Sequence, residues 1–116
     1  MSIKRIDSNH RMSQVVLHGN TLYTAGIVAN DPNTDVEGQT GQILDSIDTY
    51  LRANGSDKTK ILAATIWLAS MDDYEKMNGV WDMWVPRDNP PTRACVESKL
   101  ATPKYKVEIR VVAAID

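Results

Sequence analysis

A strict two-residue alternation runs along residues 106–113, and it limits the possible folds more than any other pattern in the chain. One set of its residues is apolar, and the alternate set is mostly charged: Val107, Ile109, Val111 and Ala113 against Lys106, Glu108, Arg110 and Val112. Because successive side chains of a strand point to opposite faces, the pattern predicts a strand with one face in the core. The other face meets either water or another subunit, and the alternation alone does not choose between them.

The N-terminal part of the chain has the composition of a β-hairpin. Residues 15–18 and 21–25 are rich in strand-forming side chains, and Gly19 and Asn20 separate them. Glycine accepts the positive φ that tight hairpin turns need. We therefore expect two antiparallel strands here, preceded by a short strand at residues 3–6 and followed by a loop over residues 29–38.

The middle of the chain changes to a helical period. Ile43, Leu44, Ile47 and Leu51 recur at helical spacing, and Gly55 follows as a stop signal, which predicts a helix over residues 39–53. Residues 61–69 form an almost continuous apolar run, which is typical of a central strand covered on both faces.

A second helix is predicted after this run, with Ser70 as its cap. Its apolar stripe consists of Tyr74, Met77, Trp81, Trp84 and Val85. Two further strands are expected at residues 92–98 and 105–113. The order β-β-β-α-β-α-β-β predicts an α+β fold, with two helices packed on one face of a mixed sheet.

Length and composition limit the class of protein. A chain of 116 residues with 42% apolar and 24% charged residues is typical of one soluble domain, here residues 1–116. The net charge of −2 gives no basic footprint for nucleic acid. No apolar run is long enough to span a membrane, and the first residues lack the apolar core of a secretory signal. We therefore expect a cytoplasmic protein with no nucleic-acid or membrane partner.

Few residues are suited to chemistry. His10 and His18 show no metal-ligand spacing, which favours exposed or hairpin-edge histidines over a metal site. Cys95 has two interpretations, a nucleophile or a small apolar residue within a strand, and the second is the commoner. Asn78 falls on the apolar stripe of the second helix, where its amide needs hydrogen-bond partners. It is therefore either a satisfied structural residue or part of a site.

An arginine and a glutamate stand out near the end of the chain. Arg93 and Cys95 share strand parity, and Glu108 lies on what the sequence predicts to be the neighbouring strand. One interpretation, which the residues alone favour modestly, is a cross-strand ion pair. The other is a site in which Arg93 binds a substrate carboxylate through its planar fork and Glu108 handles a proton or a water molecule.

The segment around these residues, PTRACVESKLA followed by TPKYK and VEI, resembles the Rid/YjgF family of reactive intermediate deaminases, in particular its YoaB-like branch. The resemblance covers nearly the whole chain. It implies a fold similar to the trimeric chorismate mutase fold, in which three sheets form a central barrel with clefts between subunits. It also implies hydrolysis of enamines and imines, as in 2-iminobutanoate/2-iminopropanoate deaminases, which give 2-ketoacids and ammonia.

The resemblance assigns roles residue by residue. Arg93 would bind the substrate carboxylate and Glu108 would activate water, without a metal or organic cofactor. Two positions depart from the family pattern, because Met12 stands in place of a common tyrosine and Ala25 in place of a common serine. The positions that the resemblance places in the substrate cleft are Asn78, Ala94, Cys95, Met12, Ala25 and Gly26.

Two other functions are compatible with the sequence. A non-catalytic homotrimer that binds small carboxylates or ketoacids in a regulatory role would need Arg93 but not Glu108. Chorismate mutase activity is suggested only by the likeness of the fold, which is an analogy and says nothing about the site.

Overall fold

The computed structural model describes residues 2–116, and its elements follow the predicted order. The six strands are β1 Ile3–Ser8, β2 Ser13–His18, β3 Thr21–Thr24, β4 Ile61–Leu68, β5 Thr92–Glu97 and β6 Val107–Ala114. The two α-helices are α1 Val36–Ala53 and α2 Tyr74–Trp84. Two short 3₁₀ helices, Lys58–Lys60 and Met71–Asp73, lead into β4 and α2.

All six strands belong to one sheet in the order β1-β2-β3-β6-β4-β5. The β4–β5 pair is parallel and the other pairs are antiparallel, so the sheet is mixed. Both helices pack on one face of this sheet around a continuous apolar core. The predicted α+β architecture is therefore confirmed.

Local signals for turns and helix ends agree with the structure. Gly19 has a φ of 60° and joins β2 to β3 as predicted. Helix α1 stops at Asn54, and Gly55 follows with a φ of 81°. The helix starts three residues before the predicted position, because the Asp35 side chain accepts a 2.8 Å hydrogen bond from the Gly38 amide and caps it there. The predicted Ser70 cap belongs instead to the 3₁₀ helix before α2.

The alternation in β6 is confirmed, whereas the prediction that β4 is covered on both faces is wrong within the single chain. The apolar set of β6 is fully buried: Val107, Ile109, Val111 and Ala113. After an irregularity at residues 61–63, strand β4 also alternates, with Ala64, Ile66 and Leu68 buried and Thr65 and Trp67 only partly buried. Its second face lacks cover because both helices lie on the opposite side of the sheet.

We call this uncovered side the open face. Its residues on β3 to β6 are partly or fully exposed: Tyr23, Thr65, Trp67, Ala94, Val96, Glu108, Arg110 and Val112. Apolar side chains form most of it, including Tyr23 at 38% and Val96 at 47% exposure.

No helix within residues 2–116 combines the length and the apolar character needed to cross a bilayer.

Candidate active site

Arg93 lies on β5 and points to the helix side of the sheet, where α2 holds its guanidinium. Its Nη1 donates a 2.8 Å hydrogen bond to Asn78 Oδ1, and its Nη2 donates a 3.1 Å hydrogen bond to the Tyr74 hydroxyl. The guanidinium carbon lies 5.5 Å from the centre of the Trp81 ring and 5.8 Å from that of Tyr74. These distances are within the range of cation–π attraction.

Both hydrogen-bond acceptors of Arg93 are neutral groups, an amide oxygen and a phenol oxygen. They orient the half-buried guanidinium without cancelling its charge. Such a group still attracts an anion strongly, because partial burial lowers the dielectric around it. The arrangement around Arg93 is therefore suited to binding a carboxylate.

Glu108 lies on the open face, and its carboxyl group lies close to the backbone of Gly26. A β-carbon added to Gly26 would overlap a carboxylate oxygen of Glu108 and lie 2.9 Å from its carboxyl carbon. Burial raises the pKa of the Glu108 carboxyl above its ordinary value. A carboxylate with a raised pKa is a better proton acceptor than an ordinary one, which suits general-base chemistry.

We expect Gly26→Ala to displace the Glu108 side chain without unfolding the protein, because the added methyl group meets the mobile end of that side chain. If Glu108 is needed for hydrolysis, the turnover should fall by at least tenfold. The thermal midpoint should stay close to that of the wild type. Gly79→Ala is the matched control, since a β-carbon at Gly79 would meet no described atom within 4 Å apart from its chain neighbours and the backbone of its own helix. If Gly26→Ala and Gly79→Ala lost the same amount of activity, the loss would not come from the contact between residue 26 and Glu108.

Arg93 and Glu108 are separated within one chain, and the prediction that their strands are neighbours was wrong. Strand β4 lies between them, because β5 pairs with one edge of β4 and β6 with the other. The register aligns Arg93 with Ala64 and Ala64 with Val111, three residues from Glu108. This places the two backbones about 10 Å apart across the strands and about 10 Å along them. The side chains also leave opposite faces, so no cross-strand ion pair forms.

Cys95 lies on the same side of the sheet as Arg93 and packs against the apolar core. Burial raises the pKa of its thiol, although the nearby Arg93 charge opposes the shift. A thiol with a raised pKa is mostly protonated at neutral pH and is a poor nucleophile. The structure therefore favours the interpretation of Cys95 as a small apolar residue. Ala94, its neighbour, is exposed on the open face.

Of the remaining predicted site residues, Gly26 approaches the Glu108 carboxyl group, as described above. Met12 and Gly26 line a cavity of about 480 Å³ whose opposite wall includes Tyr50 of α1. Ala25 lies beside it, with its amide donating a 2.8 Å hydrogen bond to the Gln14 carbonyl. Within one chain, the two candidate catalytic residues thus lie apart. We call Arg93 with Asn78 and Tyr74 the Arg93 half-site, and Glu108 with Gly26 the Glu108 half-site.

Comparisons with known proteins agree with this fold. The family model described as Endoribonuclease L-PSP matches residues 2–115. The RutC family protein YoaB of Escherichia coli is 47% identical over 99% of this chain and 100% of its own. The chain belongs to the Rid/YjgF family.

Two solved structures of similar proteins are nearly the same as this one. A protein from Pseudomonas aeruginosa superposes with a TM-score of 0.97 at 44% identity, covering 99% of this chain and 100% of that one. A YjgF family member from Neisseria meningitidis gives a TM-score of 0.96 at 39% identity, covering 100% and 97% of the two chains. The 47% identity to YoaB over nearly the whole chain confirms the resemblance to the YoaB-like branch that the sequence suggested.

Two residues at the Arg93 half-site were missed as functional candidates. Tyr74 and Trp81 were assigned only to the apolar stripe of the second helix, although both contact the guanidinium. The available signal was their spacing, since Tyr74, Asn78 and Trp81 are four and three residues apart and therefore share one helix face. A stripe containing a hydroxyl and an amide is able to hold a charged group as well as fill a core.

Proposed function

We propose that this protein hydrolyses 2-iminoacids and their enamine tautomers to 2-ketoacids and ammonia. The observation that carries the proposal is the half-buried Arg93 guanidinium with only neutral acceptors, Asn78 and Tyr74, which leaves its charge available for a substrate carboxylate. Membership of the Rid/YjgF family supports this class of reaction.

We further propose that the working site forms between copies of the chain in a homotrimer. Arg93 and Glu108 point to opposite sides of one sheet, so a single chain does not bring them to one substrate. In the proposed trimer, the Arg93 half-site of one copy lies against the Glu108 half-site of the next. The two half-sites together then form one complete active site. The apolar open face supports the proposal, because exposed apolar side chains grouped on one face are typical of an interface.

The reaction needs few groups. Arg93 binds the carboxylate through two N–H donors and fixes the C=N carbon near Glu108 of the neighbouring copy. Glu108 removes a proton from water as the oxygen attacks the protonated imine carbon, giving a carbinolamine. That proton then passes from Glu108 to nitrogen. As the C–N bond breaks, the hydroxyl oxygen forms the ketone C=O, its proton returns to Glu108, and ammonia leaves with the 2-ketoacid as the second product. An enamine enters the same route after protonation at its carbon.

A direct test supplies a 2-iminoacid continuously from an amino-acid oxidase and follows formation of the 2-ketoacid. We expect the wild type to accelerate hydrolysis about 10²–10⁴-fold over the free reaction, which is the range that one positioned acid–base group provides. Arg87→Ala, a change at an exposed loop arginine, is the control and should retain the wild-type rate.

The same experiment separates the enzyme from a non-catalytic carboxylate binder. A binder would hold 2-oxobutanoate in an Arg93-dependent manner yet leave every tested iminoacid at its free rate. That result would contradict the deaminase proposal and support a regulatory protein.

A further inference from the structure

We propose that Tyr74 and Trp81, together with Asn78, are positioning residues that set the carboxylate affinity of Arg93. This inference rests on the proposed function, because it assigns Arg93 to the substrate carboxylate. We call these three residues of α2 the clamp. None of them needs to touch the substrate, so Asn78 acts through Arg93 in this proposal and not as the direct substrate contact that the family resemblance implied.

The clamp restrains the guanidinium in two ways. Asn78 and Tyr74 accept hydrogen bonds from different terminal nitrogens and so fix rotation within the guanidinium plane. The rings of Tyr74 and Trp81 lie within cation–π distance of the guanidinium carbon and restrict its displacement. A guanidinium group held in this way loses less rotational freedom when it binds a carboxylate, and this strengthens binding.

The clamp leaves enough donors for a ligand. A guanidinium has five N–H donors, and the two bonds to Asn78 and Tyr74 leave three. A bidentate carboxylate needs two of these three. The neutrality of both acceptors has a second consequence, since an aspartate at the same place would compete directly with the ligand for the charge of Arg93.

The clamp is anchored to the rest of the helical layer. Trp81 is 4% exposed and packs against Trp84, with ring centres 5.4 Å apart and planes tilted by 52°. The indole nitrogen of Trp84 donates a 3.0 Å hydrogen bond to Asp48 Oδ2 on α1. Trp81 is therefore supported from both helices, and we expect it to hold its position when the site is empty.

Binding of 2-oxobutanoate, measured by titration calorimetry, provides the first test. Asn78→Asp keeps the size of the side chain but adds a charge beside Arg93, and we expect its Kd to rise by about 100-fold. Tyr74→Phe removes one oxygen and keeps the ring, and we expect a rise of about tenfold. In the iminoacid assay, the KM of both variants should rise more than their kcat falls. Asn33→Asp and Tyr105→Phe, which make the same changes elsewhere, should bind like the wild type.

The ¹⁵N NMR signals of the Arg93 guanidinium provide a readout independent of hydrolysis. We expect separate Nη signals in the wild type, because the clamp slows the rotation about the Nε–Cζ bond that interchanges Nη1 and Nη2, and averaged signals in Tyr74→Phe. Unchanged signals in Tyr74→Phe, or wild-type binding by Asn78→Asp, would overturn the clamp while leaving the deaminase proposal intact. If these NMR differences are present but the wild type does not hydrolyse any tested iminoacid faster than the free reaction, the deaminase proposal alone is overturned.

Discussion

An equal mixture of Arg93→Ala and Glu108→Ala chains should recover about a quarter of the wild-type rate when the two are refolded together. We expect each variant to be inactive alone. In the proposed homotrimer, each substitution removes one half of a site to which neighbouring copies contribute different residues. In randomly mixed trimers, one interface in about four joins an intact Arg93 to an intact Glu108. Hydrolysis of an oxidase-generated 2-iminoacid before and after mixing measures the recovery.

The control replaces the second partner with the double variant Arg93→Ala, Glu108→Ala. Mixing that chain with Arg93→Ala should leave the rate at background, because no copy in the mixture has Arg93. Absence of recovery in the first mixture, with mixed trimers verified by mass spectrometry, would show that the two residues do not act across an interface.

A charge placed in the middle of the open face should dissociate the assembly and abolish hydrolysis. Val112 lies on β6, near the centre of the sheet, and is only partly buried within one chain. Val112→Lys therefore leaves the single chain folded, but on assembly it buries an ammonium group near Arg110 without a partner. Light scattering should report the mass of one chain instead of three, with catalysis at the background rate.

The matched control for this change is Met83→Lys. Met83 is 91% exposed and lies on the side of α2 opposite Tyr74 and Trp81, so the same charge there should alter neither the mass nor the rate. Circular dichroism of both variants checks that each chain keeps its fold. A Val112→Lys protein that still had the mass of three chains and full activity would place the interface elsewhere.

The sequence predicted those features that depend on neighbours along the chain. The alternation of Val107 and Glu108 settled which side of β6 enters the core, and Gly19 and Gly55 marked a turn and a helix end because both need a positive φ. Strand order depends on where crossovers place distant segments. The sequence therefore predicted that the strands carrying Arg93 and Glu108 are neighbours, whereas β4 separates them.

The candidate site was predictable in residue type but not in arrangement. The resemblance pointed to Arg93 and Glu108, yet nothing local indicated that they leave opposite faces of the sheet. The role of Tyr74 was hidden for a similar reason. An aromatic residue on an apolar stripe is ordinarily core, and its contact with Arg93 joins segments 19 residues apart.

The position of β6 has a consequence for how the chain folds during synthesis. This strand is the last of the six in the sequence, yet it lies between β3 and β4 in the sheet. Until its eight residues leave the ribosome, β3 and β4 each lack one partner strand and the sheet is in two pieces. The sheet is therefore completed only after β6 has left the ribosome, and a stalled chain lacking β6 would present two unpaired strand edges to aggregation or to chaperones.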